Sequence, residues 1–315
     1  SSTNAFCFGD NTGYATITPS GGTPGYSYSW NTMPFQTSST ATGLSAGTYT
    51  CTVTDINACQ EIVSVSILEP DMISATTSST NAICFGDNTG YATITPSGGT
   101  PGYSYSWNTM PVQTSSTATD LSAGTYTCTV TDINACQEIV SVSILEPDMI
   151  SATTSSTNAI CFGDNTGYAT ITPSGGTPGY SYSWNTMPVQ TSSTATDLSA
   201  GTYTCTMTDA LGCSIDETFT ITEPDEITTV ESIVNISCNG GSDGQITVSV
   251  YGGVYPYMYD LMDYNGVIYF AGGGTSNMIV NNLSEGSYIC VITDANGCAI
   301  SNLVSLADPI CGCTD

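Results

Sequence analysis

The residues in this chain whose types could do chemistry are its cysteines and its carboxylates. The sequence holds 14 cysteines and 27 Asp and Glu residues, and it has no Lys, Arg or His. Four of the cysteines are equally spaced along the chain, at Cys7, Cys84, Cys161 and Cys238. Regular spacing without histidines or a Cys-x-x-Cys pair favours disulfides over a zinc site. The cysteines therefore predict a disulfide framework and an oxidising compartment.

The acidic composition narrows the classes of function. A formal charge of −27 has no internal countercharge, so the carboxylates must be solvated, bonded to backbone amides or matched by cations from solution. Without basic residues the chain cannot neutralise nucleic-acid phosphates, and we expect neither nucleic-acid binding nor membrane insertion. Histidine is the usual proton shuttle, and lysine and arginine usually stabilise developing negative charge. A carboxylate pair for glycoside hydrolysis is the enzymatic alternative, but we predict that the chain is not an enzyme.

The equal spacing of these cysteines divides the chain into four repeats, and each repeat is long enough for a small independent domain. The predicted boundaries are 1–70, 71–147, 148–224 and 225–309, and residues 310–315 begin a further cysteine-containing segment. Repeat 1 lacks a counterpart of DMISATT, so we expect its first strand to be incomplete. Repeat 4 is a variant with a longer middle, where Asn265 and Gly266 predict an additional two-residue hairpin turn.

Apolar and polar residues alternate with a period of two inside each repeat. In GYSYSW, residues 25–30, the tyrosines and Trp30 share one face and the serines share the other. Short strands separated by Gly-, Pro- and Asn-rich turns predict an all-β fold of tandem immunoglobulin-like β-sandwich domains that form an elongated rod. Trp30, like Leu261 in repeat 4, is predicted to lie in the core; the alternative is a platform that stacks on sugars. Tyr49 in LSAGTY predicts a tyrosine corner.

Three cysteines in each repeat allow one disulfide and leave one thiol. If the strands alternate strictly up and down, the turns that hold Cys7 and Cys59 lie at the same end of the sandwich and predict a bond between them. Cys51 then remains a small, buried, apolar residue; a bond from Cys7 to Cys51 is the alternative. The same pairing in all repeats gives the bonds Cys7–Cys59, Cys84–Cys136, Cys161–Cys213 and Cys238–Cys298. The equivalents of Cys51 are Cys128, Cys205 and Cys290, and the pairing of Cys311 and Cys313 stays open.

The stretches CFGDNTGYATITPSGGTPGYSYSW, LSAGTYTCTVTDINACQ and ILEP resemble the SprB-type repeat, which occurs in tandem in very large surface adhesins of gliding and other Bacteroidota. The resemblance runs through all four repeats. The first three depart from the usual Gly-Gly-x-x-Pro-Tyr pattern, which repeat 4 keeps in GGVYPYMY, and Cys51 stands where an aliphatic residue is common. The resemblance implies display on the bacterial cell surface and adhesion, and it supplies no catalytic residues.

Two further kinds of site are predicted from single residues. Asp10 in FGDNTG and Asp55 in TDINAC are expected at the same end of the domain, where clustered oxygens would suit calcium, the one candidate cofactor. The alternative is that these carboxylates accept hydrogen bonds from turn amides. The full calcium set is Asp10, Asp55, Asp87, Asp132, Asp164 and Asp209. Asn235 and Asn282 lie in Asn-x-Ser sequons and are candidate glycosylation sites.

These observations predict a structural and adhesive extracellular repeat protein, a rod or fibre segment of a bacterial surface adhesin that can form filaments. The expected partners are other protomers or copies of the same repeat, together with surface glycans or proteins. A strand supplied by another protomer would complete the open sheet edge of repeat 1. The alternative function is a carbohydrate-binding module with its site in repeat 4, among Tyr251, Tyr255, Tyr257, Tyr259 and Tyr264.

Overall fold

A computed structural model describes residues 1–237 and 240–307. Every regular element in this part of the chain is a β-strand, as the alternation of apolar and polar residues predicts. The described residues contain no helix that could span a membrane. The chain divides into two compact units, Ser1–Met149 and Ile150–Asp315, and each unit contains two β-sandwiches. The prediction of tandem immunoglobulin-like sandwiches is confirmed, and the predicted segment 310–315 lies outside the described residues.

Each of the first three repeats contributes six strands, and repeat 4 contributes seven. Those of repeat 1 are β1 (Ser2–Thr3), β2 (Gly13–Thr16), β3 (Ser27–Trp30), β4 (Thr40–Leu44), β5 (Gly47–Thr54) and β6 (Gln60–Ile67). Those of repeat 2 are β7 (Ser74–Thr80), β8 (Gly90–Ser97), β9 (Ser104–Trp107), β10 (Thr117–Leu121), β11 (Gly124–Thr131) and β12 (Gln137–Ile144).

The strands of the second unit follow the same order. Those of repeat 3 are β13 (Ser151–Thr157), β14 (Gly167–Ser174), β15 (Ser181–Trp184), β16 (Thr194–Leu198), β17 (Gly201–Thr208) and β18 (Ser214–Ile221). Those of repeat 4 are β19 (Thr228–Val234), β20 (Gly244–Tyr251), β21 (Met258–Asp263), β22 (Ile268–Gly273), β23 (Asn277–Leu283), β24 (Gly286–Thr293) and β25 (Ala299–Leu306).

Each sandwich consists of two antiparallel sheets. The first, second and fourth strands of repeat 1 form one sheet (β1-β2-β4), and the third, fifth and sixth form the other (β3-β5-β6). Repeats 2 and 3 repeat this arrangement, and repeat 4 adds β22 to the edge of its second sheet, in the order β22-β21-β24-β25. In repeat 1 the first strand contributes only two paired residues, against seven in β7. Strand β2 is therefore paired with the first strand of its repeat over a shorter length than its counterpart β8 is.

The inward faces of the two sheets form one core in each sandwich. Trp30 is fully buried, and Trp107 and Trp184 are 1% exposed. The indole nitrogen of Trp30 donates a hydrogen bond to the carbonyl oxygen of Ser38 (2.8 Å). Leu261 in repeat 4 is fully buried at the matching position. The tryptophans are therefore core residues, as predicted, and not platforms for sugar binding.

The tyrosine corner is also confirmed. The hydroxyl of Tyr49 donates to the carbonyl oxygen of Ser45, four residues earlier, at 3.0 Å. Tyr126, Tyr203 and Tyr288 make the equivalent bond in the other repeats. This bond fixes the turn that leads from the fourth strand into the fifth.

The hairpin predicted in repeat 4 is present, but its turn is longer than two residues. The amide of Asp263 donates to the carbonyl of Val267 (3.1 Å), so the loop between these residues holds three residues, 264–266. Gly266 has a φ of 78°, a left-handed conformation that glycine adopts without steric cost. A turn followed by a left-handed glycine is the usual form of a three-residue hairpin loop. The Asn-Gly pair thus marks the hairpin correctly but not its length.

The two ends of each sandwich carry different loops. At what we call the cysteine-loop end, the loop after the first strand carries the first cysteine of the repeat. In repeat 2 this end holds Gly90, where an added Cβ would lie 2.6 Å from Cγ2 of Ile144. At the opposite end, the diglycine end, a Gly-Gly turn meets the turn before the last strand. In repeat 2 an added Cβ at Gly99 would lie 2.9 Å from Oδ2 of Asp132.

The third and fourth strands of each repeat run in the same direction, from the diglycine end towards the cysteine-loop end. In repeat 2, β9 begins with Ser104 opposite Thr131, beside the diglycine end. Strand β10 finishes with Leu121 opposite Gly90, at the cysteine-loop end. The connection 108–116 brings the chain back without forming a strand. The strict up-and-down alternation on which the predicted disulfides depend therefore fails at this connection.

Candidate functional site

In each compact unit, a disulfide joins the cysteine-loop end of one repeat to the diglycine end of the next. Cys7 of repeat 1 bonds to Cys136 of repeat 2, with Cα atoms 5.7 Å apart. Cys161 of repeat 3 bonds to Cys298 of repeat 4, with Cα atoms 5.6 Å apart. We call the contact around each of these bonds a repeat junction. The candidate site is therefore a covalent joint between two domains.

This pairing corrects the one that the sequence predicts. Cys7 is bonded to neither Cys59 nor Cys51, and both of these are free. The physical reason is the direction of the fourth strand. Because it runs the same way as the third, the loop with the first cysteine and the turn with the third cysteine lie at opposite ends of one sandwich. They can meet only across a junction with another repeat.

The other predicted bonds within repeats are affected in the same way. The bonds Cys84–Cys136, Cys161–Cys213 and Cys238–Cys298 do not form, because Cys136, Cys161 and Cys298 have the partners given above. Cys84 and Cys213 are disulfide-bonded as well. Cys238, Cys311 and Cys313 lie outside the described residues.

The cysteine loop is held by an aspartate and by the end of the last strand. In repeat 1, Oδ2 of Asp10 accepts from the amide of Cys7 (3.1 Å), and Oδ1 accepts from the amide of Thr12 (3.1 Å). The amide of Gly9 donates to Oε2 of Glu69 (2.6 Å), which follows β6. Desolvation alone would raise the pKa of Asp10, but the hydrogen bonds from Thr12 and Cys7 outweigh it, and the pKa is lowered. All of these hydrogen bonds lie within repeat 1, so the loop is held without a contribution from the neighbouring repeat.

The receiving turn at the diglycine end is built around a second aspartate. In repeat 2, Oδ1 of Asp132 accepts from the amides of Asn134 and Cys136 (both 2.9 Å), and Oδ2 accepts from the amide of Thr100 (2.8 Å). The side-chain amide of Asn134 donates to the carbonyl oxygen of Phe6 in repeat 1 (3.3 Å). Asn296 of repeat 4 makes the matching bond to repeat 3. The turn therefore holds its cysteine and also donates a hydrogen bond across the junction.

The chain that links the two repeats also packs at the junction. In repeat 2 the amide of Gly99 donates to the carbonyl of Asp71 (2.7 Å), and in repeat 4 the amide of Gly253 donates to that of Asp225 (2.8 Å). Ile73 is 5% exposed and packs against Gly99, where an added Cβ would lie 2.7 Å from Cγ1 of Ile73. Gly99 also has a φ of 59°. The second glycine of the Gly-Gly pair is thus required both by its backbone conformation and by the approach of the linker.

The predicted calcium ligands do not lie together within a repeat. Asp10 is at the cysteine-loop end and Asp55 at the diglycine end, because the fourth strand does not reverse direction. Both carboxylates accept hydrogen bonds from turn amides; the amides of Thr23 and then Cys59 lower the pKa of Asp55. Asp87, Asp132, Asp164 and Asp209 occupy the same two kinds of turn. In the described residues no three acidic, Cys or His side chains are placed to hold a metal; calcium binding stays a prediction.

Five cysteines of the described chain are free thiols. Cys51, Cys128, Cys205 and Cys290 are buried, and Cys59 is exposed. Burial raises the pKa of each buried thiol, and it raises the pKa of Cys290 to about 11. The interpretation of Cys51 as a buried apolar residue is confirmed. Cys59 differs from its equivalents Cys136 and Cys298, which are in disulfides.

The two predicted glycosylation asparagines have structural roles. Oδ1 of Asn235 accepts from the amide of Ala307 (2.9 Å), and the equivalent Asn4 accepts from the amide of Leu68 (3.1 Å). Asn282 has a φ of 58° at an irregularity between β20 and β23. The hydrogen bond of Asn235 and the left-handed backbone of Asn282 each account for an asparagine at that position without a glycan. Glycosylation stays a prediction.

Comparison with known protein families gives one match in each of the four repeats. A family model described as SprB repeat matches residues 1–35, 76–111, 153–188 and 230–266. The chain is a SprB-type repeat array. No curated protein matches its sequence. Each match of the SprB repeat ends just after the third strand or, in repeat 4, in the added hairpin, so the match includes the cysteine loop and the Gly-Gly turn in every repeat.

Two solved structures to which the array is similar are themselves tandem arrays. One is a tetra-tandem repeat in the extending region of a large adhesion protein, with 11% identity, a TM-score of 0.30, and coverage of 98% of this chain and 99% of that one. The other is the N-terminal eight Ig domains of Down Syndrome Cell Adhesion Molecule, with 12% identity, a TM-score of 0.30 and coverage of 97% of this chain. The array spans 59% of the length of that second structure.

Sequence reasoning missed that the third cysteine of a repeat can bond to the first cysteine of the preceding repeat. The signal is present in the sequence, because the connection 31–39 is long enough to return the chain to its starting end. It also missed the exposed loop at this connection. Met33 is 98% exposed, and Met110 and Met187 are each 97% exposed, so three repeats present the same apolar tip to solvent.

Proposed function

We propose that this SprB-type array is a segment of an extracellular adhesin on the surface of a bacterial cell, and that it carries pulling force along its length. The observation that supports the proposal is the pair of disulfides between successive repeats, Cys7–Cys136 and Cys161–Cys298. A bond across a junction keeps two neighbouring domains connected when the chain between them is stretched. Disulfides persist outside the cytoplasm, which agrees with a surface location.

Adhesion through many weak contacts is the mode we propose. The apolar tips at Met33, Met110 and Met187 recur once in each of the first three repeats on an otherwise acidic chain. Repetition of a weak contact raises the total strength of attachment without any single strong site. We assign no catalysis to the array, because it has no His, Lys or Arg to act as proton shuttle or to stabilise developing charge.

Antibody fragments raised against the full chain test surface display and adhesion together. They should label intact cells of the source bacterium and reduce attachment of these cells to surfaces. Fragments raised against an unrelated surface protein of the same cells serve as the control. Labelling that appears only after the cells are broken open would contradict surface display, and labelling without any loss of attachment would contradict adhesion.

A carbohydrate-binding module in repeat 4 is the second candidate function. Of the five tyrosines considered for it, Tyr257 and Tyr259 are buried, but Tyr251, Tyr255 and Tyr264 are 59%, 60% and 70% exposed. Exposed aromatic rings can stack on the faces of sugars. A glycan array probed with the full chain, with Tyr264→Ala and with the control Tyr168→Ala in repeat 3 would test this function. Sugar binding that only Tyr264→Ala removes would support it, and equal binding by all three proteins would refute the site.

We also propose that copies of the array associate end to end into filaments. The formal charge of −27 opposes side-by-side contact between copies at low salt, whereas contact at the ends brings few charges together. Divalent cations such as calcium would then act between filaments. Electron microscopy of the purified chain at low salt, with and without calcium, tests the proposal; isolated single particles in both conditions would contradict it.

A further inference from the structure

Each apolar tip belongs to a short run of exposed apolar residues. In repeat 1, Met33 is 98% exposed and Phe35 is 63% exposed, and Pro34 is exposed between them. The runs in the first three repeats are residues 33–35, 110–112 and 187–189. Consecutive exposed apolar residues favour aggregation, so a protein that keeps them usually employs them for contact with a partner.

The turn that presents the tip is held by polar groups. In repeat 2, the buried Oγ1 of Thr109 donates to the carbonyl of Pro111 (2.8 Å) and accepts from the amide of Gln113 (3.0 Å). The side chain of Gln113 exchanges two hydrogen bonds with the backbone of Thr119 in β10, at 2.8 and 2.9 Å. Repeat 3 holds its turn by the same four bonds. The methionine side chain makes none of these bonds and is left to solvent.

The tips lie in uncharged parts of a chain whose formal charge is −27. The stretches 11–54, 88–119 and 165–196 contain no Asp or Glu, and each of them contains one tip. A basic partner would be attracted to the carboxylates elsewhere on the chain and not to the tips. Burial of apolar surface, in contrast, requires no charge on either side. The partner that these tips fit is therefore an uncharged apolar surface.

Apolar contact alone does not require methionine at the tip. In the core, the buried Met207 of repeat 3 takes the position of Val53 in repeat 1, so methionine and valine are exchanged there. At the tip, the second residue after the methionine changes from Phe35 to Val112, but the methionine itself is kept in all three repeats. The property that distinguishes methionine from other apolar residues is a thioether that oxidants convert to a polar sulfoxide.

We propose that the tips bind an uncharged apolar surface and that hydrogen peroxide weakens this contact by oxidising Met33, Met110 and Met187 to methionine sulfoxide. This regulation rests on the adhesion proposed above, for which it names the partner surface. The sulfoxide group is polar, so burial of an oxidised tip against an apolar surface is no longer favourable. Because the contact is repeated, oxidation of all three tips weakens attachment more than oxidation of one.

The oxidation is a two-electron transfer from sulfur to hydrogen peroxide. A lone pair of the thioether sulfur attacks one peroxide oxygen, so that a sulfur–oxygen bond forms and the oxygen–oxygen bond breaks. The departing hydroxide takes the proton from the transferred oxygen and becomes water. Sulfur is oxidised, peroxide is reduced to water, and the side chain gains one oxygen atom.

Surface plasmon resonance with the full chain tests the contact and its oxidation. The chain flows over an alkyl-terminated monolayer, and a hydroxyl-terminated monolayer is the control surface. The free thiols are alkylated first, so that peroxide does not act through the exposed Cys59. The untreated chain should bind the alkyl surface and not the hydroxyl surface. Burial of one methionine side chain is worth about tenfold in an equilibrium constant, so peroxide should lower the affinity at least about tenfold.

Two triple variants of the full chain separate oxidation of the tips from damage elsewhere. Replacement of Met33, Met110 and Met187 by leucine preserves apolar volume, and this variant should bind as the unmodified chain does, before and after peroxide. Replacement of the same residues by glutamine makes the tips polar and should weaken binding before any treatment. Both variants should keep the thermal transition, because the side chains are exposed. Peptide mapping should find sulfoxide at the tips while the buried Met207 and Met278 stay unoxidised.

Four results would overturn the proposal. These are an untreated chain that does not bind the alkyl surface, an affinity that peroxide leaves unchanged, a leucine variant that loses as much affinity with peroxide as the unmodified chain, and a glutamine variant that binds as tightly as the unmodified chain.

Failure of this proposal and failure of adhesion give different results. If the antibody fragments reduce attachment of cells but the tips do not bind the alkyl surface, adhesion stands and the tips are not its means. If the tips bind and respond to peroxide but the fragments leave attachment unchanged, the oxidisable contact stands and adhesion is wrong.

Discussion

Reduction of the disulfides should greatly increase the distance that the chain can be stretched. A fully unfolded chain of 315 residues extends to roughly 1,000–1,100 Å at about 3.3–3.6 Å per residue. The disulfides Cys7–Cys136 and Cys161–Cys298 span 129 and 137 residues, which cannot lengthen while the bonds are intact. When both spans are subtracted, about 50 residues remain, and the oxidised chain should extend by only roughly 170 Å.

Single-molecule force spectroscopy on the full chain, held by handles at its two ends, measures this extension directly. The oxidised chain should reach its limit at roughly 170 Å, and the same chain reduced and alkylated should lengthen about sixfold. The sequence predicts disulfides within repeats, which would prevent 52 residues in each of the first three repeats and 60 in the fourth from being stretched. About 100 residues would then be free to extend, and the oxidised chain would reach roughly 350 Å. A measured limit of roughly 350 Å for the oxidised chain would therefore refute the junction pairing.

Four smaller experiments test the remaining reasoning. Trp107→Ala should lower the free energy of unfolding by about 3–5 kcal/mol in urea titrations, because it removes a large buried side chain; a loss below about 1 kcal/mol would contradict its core role. Iodoacetamide at pH 8 should modify the exposed Cys59 in the native protein but not the buried Cys290, and peptide mapping measures this. Burial raises the pKa of Cys290 to about 11, so its thiol stays protonated at pH 8. The pKa of Asp55 is lowered in the folded state. The ionised carboxylate therefore stabilises the fold fully above its unfolded pKa of about 3.9, and this stabilisation is lost as the pH falls through the folded pKa. Asp55→Asn should make acid unfolding less steep below about pH 4. Light scattering should rise with calcium more than with sodium at equal ionic strength, and an equal response would argue against bridging by divalent cations.

The secondary structure and the core follow from patterns that lie within a few residues of each other. Alternation in GYSYSW identifies a strand with Trp30 facing inward, and LSAGTY identifies the tyrosine corner at Tyr49. These features depend on local geometry, in which successive side chains point to opposite faces of a sheet. The sequence therefore predicts them well.

The disulfide pairing depends on the path of the whole chain and could not be read from local patterns. The connection after Trp30 folds back beside it, and the amide of Trp30 donates to the carbonyl of Gln36 (3.1 Å). The side chain of Gln36 then exchanges two hydrogen bonds with the backbone of Thr42 in β4, both at 2.9 Å. This segment reverses the chain as a strand would, but its residues lack the alternation that marks a strand. One uncounted reversal is sufficient to move every later turn to the other end of the sandwich.

The position of the disulfides at the junctions has a mechanical rather than a thermodynamic consequence. In the chain-entropy model a bond that spans 129 residues stabilises the folded state by about 5 kcal/mol, and one that spans 52 residues, such as Cys7–Cys59, by about 4 kcal/mol. The difference of about 1 kcal/mol is small, and a bond within each sandwich would protect that sandwich almost as well. A bond within a sandwich, however, leaves the linker between sandwiches free to extend and the docked faces free to separate. A bond across the junction keeps the cysteine-loop end against the diglycine end even while the linker is under tension, so the Ile73 contact and the hydrogen bond from Asn134 can re-form when the tension is released. A chain that must hold under repeated pulling gains more from this arrangement than from four separately stabilised domains.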